Sequence, residues 1–383
     1  MRPDSGMPSH DLPPYRLLTA AGDWQRCLAA LQAQPRLALD LEANSLFAYR
    51  EQVCLIQLSI PGQDYILDPV AGFDFHELGA LMADPAVEKV FHAVEYDLIL
   101  LRRSYGWRAE NLFDTMWAAR ILGIQRYGLA NLLEERYGVR LNKRYQKADW
   151  CRRPLEPAQL AYAQMDTHYL LRLRDDLGAE LAAAGRLAEA EETFAQQADV
   201  RPAPAAFDPD GFWAINGVKE LPRGRLGLLQ ALYLYRDRQA QALDRPAFKI
   251  FGDRTLLELA QAAPRNLAEL GQVHGMSAGQ LRRHGRRLLA VIQEGLNAAP
   301  PRRPRRAGRR TPDAVIERYE RLREWRKRQA QARGVESDVI MSREALWELA
   351  HANPETPADF DQIASLGPWR RQQYQAALLK LLG

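Results

Sequence analysis

The sequence predicts an α/β domain with a mixed sheet flanked by helices over residues 1–205, followed by two all-α modules at 212–298 and 313–383. Three observations carry this prediction. Strand-like and helix-like runs alternate from about residue 37 to 200, the second half of the chain repeats itself at a spacing of 90 residues, and a stretch rich in proline and turn residues, "RPAPAAFDPDG" at 201–211, divides the two halves.

In the α/β part, short apolar runs at 37–41, 53–60, 64–67 and 88–92 read as strands, and runs at 76–83, 95–103, 114–122, 128–137 and 157–185 read as helices. The first two strands are joined by the short polar connection "EANSLFAYREQ", which predicts a hairpin pair. In the second half "YRDRQAQAL" (235–243) aligns with "WRKRQAQAR" (325–333), and "TLLELAQAAP" (255–264) with "ALWELAHANP" (345–354). The register holds without a gap from Leu232/Leu322 to Leu289/Leu379, with 18 identities in 58 positions, so a helical module has been duplicated. Residues 299–312 between the copies contain "PPRRPRRAGRR", which has too much proline and too much like charge to fold and reads as a basic tether.

A chain of 383 residues with 47% hydrophobic and 26% charged content has the composition of a globular protein with a sizeable core. Its first residues lack the charged-then-apolar plan of a secretory signal, and no uninterrupted apolar run reaches the ~18 residues of a membrane span. A cytoplasmic protein that does not enter the membrane is therefore expected. Cys27, Cys54 and Cys151 form no CxxC or Cys/His zinc spacing and are odd in number, so they are expected as buried free thiols in a reducing compartment.

The net charge of +4 conceals a division. Residues 1–222 hold 23 Lys/Arg against 31 Asp/Glu, whereas residues 223–383 hold 29 against 17. A basic half suits a polyanionic partner, and an acidic half can supply carboxylates to a metal.

Three acidic positions in the α/β part invite chemistry, and each has an ordinary explanation when taken alone. In "LALDLEANSLF" (37–47), Asp40 and Glu42 are two apart on a strand and share a face, where two like charges need either water or a cation between them. A strand with one solvated face would accommodate them equally well. In "VEKVFHAVEYDLILLRR", Asp97 falls in the first turn of the helix that follows a strand, where the helix dipole favours an acid. Tyr162 and Asp166 are four apart on the helix begun by Pro157, one turn from each other on one face, a pairing that is also common in structural helices.

Taken in order, D-x-E on a strand, Asp at a strand-to-helix junction and Y-x3-D on a later helix are far more specific than any one of them. The sequence resembles the DEDDy 3′→5′ exonucleases, and within them the ribonuclease D family. "LDLEANS", "VFHAVEYDLILL" and "YAQMDTHYLL" look like the three exonuclease motifs, and "NLFDTMWAARILG" and "KRYQKADWCRRPL" are typical of that branch. The duplicated module resembles the HRDC domain. The resemblance spans nearly the whole chain and implies a ribonuclease H-like exonuclease domain with two HRDC domains behind it.

It also implies an enzyme that hydrolyses RNA from the 3′ end and releases nucleoside 5′-monophosphates with two divalent ions, Mg²⁺ or Mn²⁺. By that resemblance Asp40 bridges both ions, Glu42 and Asp166 hold the ion that binds the attacking water, Asp97 holds the ion facing the leaving 3′-oxygen, and Tyr162 orients the water. Implied substrates are tRNA precursors or other structured RNA 3′ ends, with the enzyme a monomer that uses no nucleotide cofactor. His92 and His168 are expected to be satisfied by local hydrogen bonds, and Asp114 to cap a helix.

The stretch 142–153 interleaves Lys143, Arg144, Lys147, Arg152 and Arg153 with Tyr145 and Trp150. Cations track phosphates and aromatic faces stack on unpaired bases, so these residues, with Phe47, are the expected RNA contacts. Competing readings are a DNA-directed exonuclease and a non-catalytic RNA-binding adaptor. A helicase is excluded for want of a GxxxxGK[ST] loop. Because residues 1–205 contain the whole sheet pattern and all five candidate catalytic residues, they are expected to fold alone.

Overall fold

The computed structural model describes residues 12–200, 206–304 and 311–383. They divide into two compact units, one drawn from Met1–Ala43, Val53–Ala203 and Arg310–Gly383, the other from Asn44–Gln52 and Pro204–Arg309.

The centre of the first unit is set by "VCLIQLSI", whose eight residues are all buried because the strand they form is covered on both faces. This strand, β3 (Val53–Ile60), lies in a sheet with β1 (Arg16–Leu18), β2 (Arg36–Ala43), β4 (Gln63–Leu67), β5 (Glu88–Phe91) and β6 (Leu112–Asp114), in the order β1-β4-β3-β2-β5-β6. β3 runs antiparallel to β2 and β4, and the remaining neighbours are parallel, so the sheet is mixed and the expected hairpin is β2–β3. Register places Asp40 opposite Gln57 and Glu42 opposite Leu55, with an irregularity between Glu42 and Ala43 where β2 leaves the ladder.

Eight helices accompany the sheet: α1 (Ala21–Gln32), α2 (Glu77–Ala83), α3 (Glu95–Tyr105), α4 (Thr115–Ile121), α5 (Leu129–Tyr137), α6 (Pro157–His168), α7 (Leu170–Ala183) and α8 (Leu187–Ala198). The sequence reading missed α1 and α8 and the three-residue strands β1 and β6. It also ran α6 and α7 together as 157–185. The helix divides at Tyr169, whose ψ of −5° departs from helical geometry, one residue after His168 turns its Nδ1 to Asp64 Oδ2 at 2.8 Å. α6 lies across β2, β3 and β4. It is held there by Gln164 Nε2 donating to Asp64 Oδ2 at 2.6 Å and by the Ser59 and Thr167 hydroxyls at 2.8 Å.

One expectation is corrected. Cys54 and Cys151 are not free thiols but a disulfide, with 4.9 Å between their Cα atoms and 97 residues between them in sequence; only Cys27 is free and buried. The fold brings β3 beside the segment before α6, an adjacency that cysteine spacing does not encode.

Residues 1–205 share their main core with the second helical module. The second helical module, with helices Asp313–Arg333, Arg343–Ala352 and Pro368–Leu382, belongs to the same unit as the sheet. Its Val339 is part of the main hydrophobic core. Glu189 and Glu192 of α8 are buried, and that module supplies a partner to each: Arg333 Nη1 to Glu189 Oε1 at 2.8 Å, beside Arg186 at 3.3 Å, and Arg370 Nη1 to Glu192 Oε1 at 2.7 Å. A buried carboxylate needs such a partner.

The second unit is built on helices Leu226–Ala242, Asp253–Ala262 and Ala278–Asn297 around an apolar core. Asn44–Gln52 joins it through Tyr49, whose hydroxyl donates to Asp237 Oδ1 at 2.7 Å and whose amide donates to Asp244 Oδ1 at 3.0 Å. The sequence repeat reappears in atomic detail. Arg236 Nη1 donates to Phe251 O at 3.1 Å, and its counterpart Arg326 Nη1 donates to Met341 O at 2.9 Å. Ala263 (φ 45°) and its counterpart Asn353 (φ 48°) both end a helix in the left-handed region.

Candidate active site

β2 carries Asp40 and Glu42 on the face that α6 covers, and α6 returns Asp166 and, one turn earlier, Tyr162 to the same place. One carboxylate oxygen from each of Asp40, Glu42 and Asp166 lies within 4.8 Å of the others. These residues and Tyr162 line a cleft of about 470 Å³ together with Leu41, His92, Asn131, Asn142 and Gln146. Asp97 stands outside that trio. It is buried in the first turn of α3, within electrostatic reach of Asp40 and Glu42.

The electrostatics follow from burial without a counter-charge. Burial lifts Asp40 to about 7, with the Leu41 amide opposing. Glu42 rises to about 10 through burial and then through the negative charges of Asp40, Asp166 and Asp97. Asp97 and Asp166 are raised well above the ordinary carboxylate range by burial and by Asp40. Among the described residues no Lys, Arg or His offsets any of the four. Gln57, across the ladder from Asp40, is fully buried with neither amide atom hydrogen-bonded.

Converging carboxylates without a cation are what a hard divalent ion fits, because Mg²⁺ and Mn²⁺ prefer oxygen ligands and an ion removes the mutual repulsion. Tyr162 is held in its phenol form by burial and by the charges of Asp166, Glu42 and Asp40, and is hydrogen-bonded to Gln146. It can donate a proton in a hydrogen bond but cannot serve as a base near neutrality.

The histidines are accounted for locally. His92 Nδ1 lies 2.9 Å from Thr115 Oγ1, and burial, against the pull of Asp114, lowers it to about 4, so it is neutral; His168 binds Asp64.

The expected RNA contacts divide. Arg144, Lys147 and Arg152 are exposed, with Arg144 over the Tyr145 ring at 5.6 Å, and the side chain of Lys143 falls outside the described residues. Two of them are corrected. Trp150 is 1% exposed and packs against Tyr162 with centroids 5.8 Å apart, so its faces are unavailable to a base. Arg153 is tied to Asp68, to Cys54 O and to Trp150 O, which makes it a structural brace of the segment. Tyr145 meets Tyr162 edge-on at 6.1 Å, and Phe47, in the second unit, lies under Lys249 Nζ at 4.3 Å. The sequence reading did not single out Gln146, Asn131 or Asn142; Gln146 and Asn142 lie in the 142–153 stretch but stand out as lining only in the fold.

Residues 15–182 match the family model described as 3′-5′ exonuclease, and residues 225–292 and 316–382 each match the HRDC domain. Ribonuclease D of Granulibacter bethesdensis is 31% identical over 96% of this chain and 93% of its own length. The chain belongs to the ribonuclease D family. It is a 3′→5′ exoribonuclease of that family, with the ribonuclease D order of an exonuclease domain followed by helical HRDC domains. The solved structure of Escherichia coli RNase D, described as an exoribonuclease involved in structured RNA processing, aligns with a TM-score of 0.68 at 26% identity over 96% of this chain and 98% of that one. Protein RRP6-like 1 of Arabidopsis thaliana is 32% identical over 83% of this chain, which spans about half (52%) of that longer protein.

Proposed function

We propose that this ribonuclease D family member trims RNA 3′ ends one nucleotide at a time by two-metal hydrolysis, releasing nucleoside 5′-monophosphates, with tRNA precursors or other structured RNAs as substrates. The observation that supports it most is the convergence of Asp40, Glu42 and Asp166 within 4.8 Å beside Tyr162 in an open cleft.

When bound, a pair of hard divalent cations neutralises phosphoryl charge and acidifies a water at neutral pH. In this reading Asp40 would serve both ions. Glu42 and Asp166 would hold an ion that supplies the attacking water, and Asp97, set apart on α3, would help hold an ion that stabilises the leaving oxygen. Tyr162 donates its hydroxyl hydrogen bond to the attacking water and fixes its line of approach, while its ring stays clamped by Tyr145 and Trp150. The exposed Arg144, Lys147 and Arg152 are assigned to the RNA backbone.

The test is a 5′-labelled RNA and a DNA of the same sequence, incubated with Mg²⁺, Mn²⁺ or EDTA. A ladder shortening from the 3′ end of RNA, dependent on metal and much slower on DNA, is expected; equal rates on DNA would overturn the substrate assignment. The same reading makes the enzyme a cytoplasmic monomer, checked by fractionation and light scattering. Among the described residues no helix is long and apolar enough to cross a membrane.

Tyr162→Phe is expected to lower kcat by about a hundredfold, the cost of a misplaced nucleophile, while RNA affinity and metal dependence stay near wild type because the ring packing is retained. A matching loss of RNA affinity would move Tyr162 from orienting water to binding substrate.

A further inference from the structure

Asp114 is fully buried, and no step of the proposed chemistry uses it. Its Oδ1 accepts the amides of Ala93 (3.0 Å), Met116 (2.8 Å) and Trp117 (3.2 Å), and its Oδ2 accepts the Val94 amide at 3.0 Å and Gln197 Nε2 at 3.2 Å. Capping α4 accounts for only two of these five bonds. The others hold the turn between β5 and α3 and link it to α8. Ala93 in that turn has φ 64°, a left-handed conformation that a residue with a side chain adopts only when its surroundings impose it. Val94 is the N-cap of α3, and Asp97 lies in that helix's first turn. The Asp114 carboxylate therefore fixes the backbone from which Asp97 projects.

Both elements that hold Asp114 are gripped by the second helical module. On α8, Glu189 is bound by Arg333. Glu192 is bound by Arg370 and accepts the Trp369 and Arg370 amides at the start of the last helix, while Arg370 Nη2 donates to Thr193 Oγ1 at 3.1 Å. On α4, the buried Arg120 stacks over Trp117 at 4.1 Å and binds Glu336 at 2.6 Å and Asp338 at 2.7 Å.

We infer that the second HRDC module is a brace for the active site, holding α4 and α8 so that Asp114, a positioning residue, sets Asp97 in its metal-binding place. The inference rests on the ligand role proposed for Asp97, and the experiment separates the two.

Mn²⁺ binding to the full-length protein without RNA is measured calorimetrically, beside the melting temperature. Asp97→Asn is the reference for loss of a ligand. Asp114→Asn is expected to weaken Mn²⁺ binding about tenfold, as loss of a group that orients a ligand does. Gln197→Met, which keeps the length but removes the donor, and Gly367→Ala, whose Cβ would lie 2.2 Å from Glu192 Cδ, are each expected to weaken it by a few-fold. Because the last two act along one line, the double variant is expected to bind no more weakly than the weaker single one. Wild-type Mn²⁺ affinity in Gln197→Met and Gly367→Ala, with or without a lowered melting temperature, overturns the brace, and so do fully additive losses. Unchanged Mn²⁺ affinity in Asp97→Asn overturns the ligand role itself, and the brace with it.

Discussion

Asp40→Asn is expected to lower kcat by at least about a thousandfold while the protein folds and still binds RNA. An ion that stabilises transition-state charge contributes several kcal/mol, and each ~1.4 kcal/mol is tenfold in rate. Asp40 is the acid proposed to serve both ions, so its neutralisation disturbs the whole site. Asp97→Asn and Asp166→Asn are expected to behave alike, and near-wild-type turnover in any of the three would remove that residue from the catalytic set.

The same substitution carries a stability signature with a definite sign. The folded-state value of Asp40 is raised to about 7 by burial, above that of an unfolded aspartate. In metal-free wild type, stability is therefore fully present below ~4 and is lost as pH rises through the folded value. Asp40→Asn removes that loss. In EDTA the variant's melting temperature is expected to fall less than the wild type's between pH 4 and 8, and to exceed it at pH 8. Metal added at pH 8 should raise the wild type and leave the variant nearly unmoved. Parallel curves for the two proteins would mean that the pocket is wetter than its burial implies.

The second large effect concerns the last 71 residues, 313–383. A chain ending at residue 312 is expected to lose its cooperative melting transition, although it retains the whole sheet and all five candidate catalytic residues. Val339 leaves the main core, Glu192 and Arg120 lose their ion-pair partners, and Glu189 is left with Arg186 alone. The point variant Arg370→Ala reports the same dependence in the full chain. It leaves buried Glu192 without its counter-charge, with only the Trp369 and Arg370 amides as donors, and breaking a buried pair from one side costs about 3–5 kcal/mol. Denaturant unfolding of Arg370→Ala and circular dichroism melting of the truncated chain are the measurements. A truncated chain that melts as sharply as the full protein would show that α8 repacks without the module.

Much of this enzyme could be read from sequence because its strongest signals are local. Period-two and helical patterns depend on neighbours a few residues away, which is why β2, β3, β4, α3 and α5 fall within a residue or two of their predicted spans. Asp40 and Glu42 were informative because a strand makes residues two apart share a face, and Tyr162 and Asp166 because a helix does so at four. Resemblance joined those fragments across 126 positions, from Asp40 to Asp166.

Only the tertiary structure decided the rest, because its causes are contacts between distant residues. Trp150 and Arg153 have the composition of an RNA-binding segment, yet one is buried against Tyr162 and the other is bound to Asp68, and nothing nearby in sequence marks either fate. Cys54 and Cys151 are paired by the meeting of β3 with a segment 97 residues later. The two helical copies are alike in sequence because they share an internal core, so sequence alone describes them as equals. What ties the second copy to α8 lies at positions where the copies differ: Arg333 and Arg370 stand where the first copy has Leu243 and Gln280, and they meet the buried glutamates of α8.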